Sequence, residues 1–199
     1  MNHNQLIHYY IQNHPQALYH VVDMTAGNGH DTYFLAQHCQ KVSAIDIQAE
    51  AITKTKARCS AFNHIDYYQA NHKDIAALNL KQIDGAMFNL GYLPKGDKDL
   101  ITNEKTTLVA LDYLVKHSKH FISIACYIGH EGGLQEQQAV KAYLDEQKLN
   151  YHTICYLKDD APITYIIDFN KESKEVIVVD ALRKLTQDAL DEKLKAIFY

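Results

Sequence analysis

Short apolar runs alternate with stretches of helical spacing along most of the chain. The runs VVDM (21–24), VSAIDI (42–47), IDYYQA (65–70), IDGAMFNL (83–90) and FISIACYI (121–128) have the length and content of buried strands. Helices are predicted between them. NQLIHYYIQNH carries Leu6, Tyr9 and Tyr10 at helical spacing and stops before Pro15. DTYFLAQHC and QAEAITKTKARCSAF follow. Then come TTLVALDYLVKHSKH, with Leu108, Leu111 and Val115 on one face, and LQEQQAVKAYLDEQ, burying Val140, Tyr143 and Leu144.

The alternation breaks at Tyr151. YHTICYL and ITYIIDF read as strands joined only by KDDAP. So short a connection closes an antiparallel hairpin and cannot cross over to a parallel neighbour. The expected fold is α/β: a mostly parallel sheet with an antiparallel strand at its end and helices on both faces. After the polar turn NKESKE, the tail reads as a strand-like piece and one amphipathic helix carrying Leu182, Leu185, Ala189 and Ile197. No repeat or linker divides the chain, so residues 1–199 read as a single domain.

Composition narrows the partners. The formal net charge of −4, with 12 histidines, excludes a protein that coats nucleic acid by bulk positive charge. Any RNA contact needs a local basic patch. The cysteines, Cys39, Cys59, Cys126 and Cys155, lie too far apart for a zinc motif or a disulfide framework and read as reduced thiols of a cytoplasmic protein. The start MNHNQLIHYY lacks a signal-peptide pattern, and no apolar run approaches a membrane span of ~20 residues. No histidine spacing points to a metal.

The first strand runs into TAGNG, residues 25–29. In a parallel sheet that turn lies at the carboxyl end of the strands, where ligands bind. It begins like the dinucleotide fingerprint, but Thr32 stands where the third glycine belongs, and no P-loop lysine follows. Asp46 ends the second strand and is placed to accept hydrogen bonds from ribose hydroxyls, with Ile47 beside it. Asp23, just before the glycines, would repel a pyrophosphate and suits a cationic ligand. S-adenosyl-L-methionine fits both acids, with Thr25, Ala26, Gly27, Asn28 and Gly29 around its methionine part and Asp23 nearby through backbone or water. The plainer reading is a tight turn beside a buried acid.

A second cluster follows the fourth strand. Asn89, Gly91, Tyr92 and Pro94 form a stiff turn on the same rim. The Asn89 amide oxygen and the Leu90 carbonyl can aim the lone pair of an amine, and Tyr92 can stack on a base. Alternatively, Asn89 caps a turn and Tyr92 packs in the core. His130, after the fifth strand, either lines the acceptor pocket or takes a proton there as a catalytic residue, or else caps the next helix. Asn71 and His72 follow the third strand, where adenine contacts fall, and Lys95, Lys98 and Lys105 flank the Asn89 turn as candidate phosphate contacts.

In this order, DMTAGNGHDTYFLA, AIDIQ, NLGYLPKGDK and YIGHEGG resemble the MnmM/YtqB-type class I methyltransferases, long labelled rRNA methylases. The resemblance covers residues 1–170, and residues 171–199 form an extension open to dimer contact or RNA docking. It implies a seven-stranded fold and S-adenosyl-L-methionine as cofactor. The implied reaction methylates wobble 5-aminomethyl-2-thiouridine in the anticodon stem-loop of tRNA. By position, Gly27, Asn28, Gly29, Asp31 and Asp46 would bind the cofactor, while Asn89 and Tyr92 would face the acceptor. The rival readings are methylation of rRNA or another amine, and a nicotinamide-dependent oxidoreductase.

Overall fold

The computed structural model describes residues 1–91, 102–172 and 174–199. In chain order the elements are α1 (His3–Gln12), β1 (His20–Asp23), α2 (His30–His38), β2 (Lys41–Asp46), α3 (Ala49–Arg58), β3 (Ile65–Gln69), a 3-10 helix (His72–Leu78) and β4 (Gly85–Leu90). They continue with α4 (Glu104–His117), β5 (Phe121–Cys126), α5 (Gly133–Glu146), β6 (Tyr151–Cys155), β7 (Ile163–Asp168), β8 (Val176–Val178), α6 (Val179–Leu182) and α7 (Gln187–Phe198).

Among the described residues the strands form an eight-stranded sheet in the order β3-β2-β1-β4-β5-β7-β6-β8. β1 pairs in parallel with β2 on one side and β4 on the other, so strand order reverses there. The predicted hairpin is present as β6 and β7. Its antiparallel strand is not at the end of the sheet, however. β7 inserts between β5 and β6, antiparallel to both. That leaves β6 with a free edge, which β8 covers in parallel at Ile154↔Ile177. The sheet therefore carries one strand beyond the implied seven, supplied by the tail.

Alternate strand residues feed two apolar layers. Val21, Val42, Met87, Phe121 and Ile166 pack with Leu6 and Tyr10 of α1, Leu35 of α2 and Phe198 of α7. Val22, Ile45, Phe88 and Ile124 pack with Leu111 of α4 and Val140 of α5. The buried face of α1 is Leu6, Ile7, Tyr10 and Ile11, with Tyr9 at its margin. On α4 the face is Thr107, Ala110, Leu111 and Leu114, rotated from the expected one.

The tail differs more. One helix was expected, and two form. The Thr186 side chain accepts a hydrogen bond from the Ala189 N–H, capping α7 and resetting the helical phase. The buried face becomes Leu190, Leu194 and Phe198, leaving Leu185 39% exposed. The tail is tied to α1. The Tyr199 hydroxyl donates to the Tyr10 carbonyl at 2.6 Å, and the Tyr10 hydroxyl donates to Asp168 at 2.8 Å.

Gly29 and Gly132 both precede a helix with nearly the same left-handed backbone, φ 78° and 79°. A methyl group on Gly29 would meet Thr55 Cα of α3 at 2.8 Å, whereas one on Gly132 meets nothing within 4 Å among the described residues. Gly132→Ala should cost only the backbone term of about 1–2 kcal/mol. Gly29→Ala should cost roughly 1–3 kcal/mol more, because α2 and α3 must separate. Urea unfolding of the two variants measures the difference.

Candidate functional site

A cavity of about 610 Å³ opens beyond the carboxyl ends of β1, β2 and β4, where the strand order reverses. This is where a parallel sheet leaves room for a ligand, because the loops on either side diverge. Its floor is the turn from β1 into α2. The Met24 N–H donates to Met87 O at 2.8 Å, and the Ala26 N–H donates to Ile45 O at 2.9 Å, pinning the turn between β4 and β2. Thr25, Ala26, Gly27 and Asn28 line the cavity. Gly29 does not; it lies under Thr55, where it lets the helices approach. Arg58 Nε holds the Asn28 carbonyl at 2.7 Å from the outside.

The two acids flanking the turn differ in role. Asp23 is 1% exposed and is not among the cavity-lining residues. It accepts from the Thr25 N–H at 3.2 Å and from Thr32 Oγ1 at 2.6 Å. Burial, then the nearby Asp31 charge, push its pKa up to about 7. Asp23, expected beside the methionine part through backbone or water, does not itself line the cavity; its carboxyl group staples the turn to α2. Thr32, where the dinucleotide fingerprint has glycine, supplies that staple. Asp46 does line the cavity. Its carboxylate accepts from the Gly27 and Gln48 N–H groups, each at 2.9 Å. Burial raises its pKa, and the backbone hydrogen bonds oppose the rise. Each oxygen keeps another lone pair for a ligand hydroxyl, and Ile47 continues the wall.

Across the cavity, the Asn89 backbone N–H donates to Thr25 Oγ1 at 2.7 Å, tying the end of β4 to the turn. The Asn89 side-chain nitrogen donates to Asp31 Oδ2 at 2.7 Å. Asp31 Oδ1 in turn meets His8 Nε2 of α1 at 2.7 Å, and the His8 ring stacks on Phe34 at 3.7 Å. Asn89 Oδ1 is buried and accepts no hydrogen bond among the described residues. The amide is therefore oriented by its nitrogen, with its oxygen left for a donor.

Asn71 and His72 line a third wall. Asn71 caps the 3-10 helix by accepting from the Lys73 N–H at 3.1 Å. His72 Nε2 meets Thr106 Oγ1 at 3.1 Å, and burial lowers its pKa to about 4, so the ring is neutral near pH 7. His130 lines the rim, its Nδ1 2.8 Å from the Glu131 carbonyl. It is not the helix cap, since Gly132 holds that position. Tyr92, Pro94, Lys95 and Lys98 lie outside the described residues.

Sequence reasoning missed several contributors, Tyr127 and Asn4 among them. Tyr127 follows β5 on the same rim as His130 and lines the cavity, and so does Asn4 of α1. The available signal was spacing: Asn4 and His8 stand one helical turn apart, so they share a face of α1. Among the described residues no His, Cys, Asp and Glu side chains gather in a metal-holding group, and no helix is long and apolar enough to cross a membrane.

A family described as "Putative rRNA methylase" matches residues 42–167. The chain belongs to that family. A curated relative, the chloroplastic tRNA (mnm(5)s(2)U34)-methyltransferase of Arabidopsis thaliana, is 32% identical over 141 residues, covering 62% of this chain and 52% of the relative. The chain thus spans about half the length of that curated relative. Among solved structures, a "putative rRNA-methylase" from Clostridium thermocellum superposes with a TM-score of 0.78 at 29% identity, over 84% of this chain and 97% of that one. A "putative methyltransferase" from Streptococcus mutans, solved in complex with SAH, gives 0.76 at 27% identity, over 84% and 98% of the chains. The fold is that of the class I methyltransferases, extended by β8.

In this rRNA-methylase family member, Asp23 gives a pH signature. Its folded pKa of about 7 lies above the ordinary carboxyl value of about 3.9. Between the two, the folded state holds a proton that the unfolded chain has released, so this group's contribution to stability falls as pH rises through that window. The stability of wild type relative to Asp23→Asn should therefore decline from pH 5 to pH 8 in urea melts. Parallel curves would assign Asp23 an ordinary titration.

Proposed function

We propose that this protein is a methyltransferase that uses S-adenosyl-L-methionine to methylate a primary amine. Its substrate on this reading is the 5-aminomethyl group of wobble 5-aminomethyl-2-thiouridine in tRNA, and its product is 5-methylaminomethyl-2-thiouridine. The observation that carries the reading is the Asn89 amide of the cavity wall, its nitrogen fixed on Asp31 and its oxygen buried without a partner among the described residues. The named activity of the Arabidopsis relative and the SAH held by the Streptococcus mutans structure support it.

The cavity suits the cofactor. Its volume falls in the range of roughly 300–1,000 Å³ typical of small-molecule sites. Asp46 would take the ribose hydroxyls on its remaining lone pairs, the backbone of 25–28 would hold the methionine part, and Asn71 and His72 would flank the adenine. When bound, S-adenosyl-L-methionine supplies a methyl group already activated by its sulfonium. The protein's share is to bind, orient and dehydrate the amine.

An alkylamine arrives largely protonated, with a pKa near ~10 by analogy with lysine. Only its neutral form has a lone pair to attack with. Withdrawal into a partly apolar cavity favours that form. Asn89 Oδ1 then accepts one N–H and fixes the direction of the lone pair, an alignment worth several kcal/mol of barrier. The neutral His72 adds no positive charge to oppose a cationic ligand.

Asn89→Ala should lower single-turnover methyl transfer on the order of 100-fold. Its calorimetric affinity for S-adenosylhomocysteine should stay within about threefold of wild type. Equal losses in both would remove Asn89 from the acceptor side. Asp46→Ala should do the reverse, weakening S-adenosylhomocysteine about tenfold or more.

Incubating the protein with precursor tRNA and cofactor, then measuring wobble nucleosides by mass spectrometry, tests the substrate. The aminomethyl nucleoside should be consumed as the methylaminomethyl form accumulates. Methylation of rRNA with untouched tRNA would reject the assignment.

A further inference from the structure

The Asn89 amide is only as well placed as the carboxylate that holds it. Asp31 stands in the first turn of α2, and Phe34 follows three residues later on the same face of that helix. His8 of α1 meets both. Its Nε2 lies 2.7 Å from Asp31 Oδ1, and its ring lies flat on Phe34, with centroids 3.7 Å apart and planes 5° from parallel. An ionised carboxylate only accepts, so His8 Nε2 carries the hydrogen and donates it. The stack fixes the plane of the imidazole, and the N–H lies in that plane. Phe34 thus sets the direction from which the Asp31 oxygen is gripped.

The same carboxylate takes the Asn89 side-chain nitrogen on Oδ2 at 2.7 Å. With one oxygen fixed by His8, the other has a fixed position to offer the amide. Without that donor, the Asp31 side chain turns more freely about its own bonds, and the amide loses a rigid partner. The contact is sheltered: the His8 and Asp31 side chains are 24% and 15% exposed. A charge-assisted hydrogen bond keeps more of its strength there than on an open surface. Docking of α1 does not need it, since Leu6, Ile7, Tyr10 and Ile11 are buried on that helix and the Phe34 stack adds to them.

We propose that His8 is a positioning residue of the methyl-transfer site, acting through Asp31 on the Asn89 amide, with Phe34 as the plate that orients its ring. This deepens the reading above, on which it rests for the reaction. It also extends the site to the first helix, outside the matched segment 42–167.

The test uses two variants. His8→Phe keeps a ring for Phe34 and removes the donor. His8→Gln gives up the ring and offers an amide N–H at similar reach. Three quantities are compared with wild type: single-turnover methyl transfer to precursor tRNA, calorimetric affinity for S-adenosylhomocysteine, and the side-chain amide resonances of Asn89 by NMR, identified by their loss in Asn89→Ala.

His8→Phe should slow transfer about tenfold, while S-adenosylhomocysteine affinity stays within about threefold. Its Asn89 amide resonances should move toward those of a free asparagine side chain. His8→Gln should restore both transfer and resonances toward wild type. Unchanged Asn89 resonances in His8→Phe overturn the proposal, whatever happens to the urea midpoint, because a merely structural histidine would leave them in place. So does a loss of S-adenosylhomocysteine affinity equal to the loss of transfer, or a His8→Gln variant as slow as His8→Phe. If wild type methylates no precursor tRNA, or Asn89→Ala transfers as fast as wild type, it is the reading above that fails, and the Asn89 resonances alone decide whether His8 positions the amide.

Discussion

One hydrogen bond, from the Asn89 amide nitrogen to Asp31, decides which end of that amide is left without a partner among the described residues. An asparagine amide is nearly symmetric in shape, and only its bonding partners distinguish donor from acceptor. Asp31 accepts and cannot donate while ionised, so it holds the nitrogen and leaves the oxygen unpaired among the described residues. Asp31 is itself held by His8, and His8 by its stacking on Phe34. The orientation of one side chain thus draws on α1, α2 and β4 together.

The sheet makes that convergence inexpensive. Because strand order reverses between β1 and β4, the turn after β1 and the end of β4 stand side by side. Thr25 Oγ1 and the Asn89 N–H complete the junction. The same turn is fixed from below by Asp23 and from the β2 side by Asp46. Asp23 is buried and spends its hydrogen bonds on the fold, whereas Asp46 lines the cavity with lone pairs to spare. Their chemistry is identical, and their environments assign the work.

Much of this was legible in the chain because it is written locally. Apolar runs without polar alternation mark strands buried on both faces, and VVDM and FISIACYI are such strands. The short KDDAP link allowed only a hairpin. Where β7 sits was not legible, because partner choice between strands depends on non-local packing. The phase of the tail was misread for a local reason: Thr186 interrupts a hydrophobic pattern that looked continuous. In the site, Asp46 and Asn89 could be read from their positions at strand ends. Asp23 could not be told from a ligand-facing acid, since burial is a property of the folded neighbourhood. Asn4 and Tyr127, 123 positions apart, come to line one cavity through the docking of α1.

The most direct test is a crystal structure of the protein with S-adenosylhomocysteine. The ribose should lie on the Asp46 carboxylate and the homocysteine part along residues 25–28, with Asn89 Oδ1 turned toward the ligand and its nitrogen still on Asp31. Ligand bound elsewhere, or an Asn89 amide whose nitrogen faces the ligand, would contradict this arrangement.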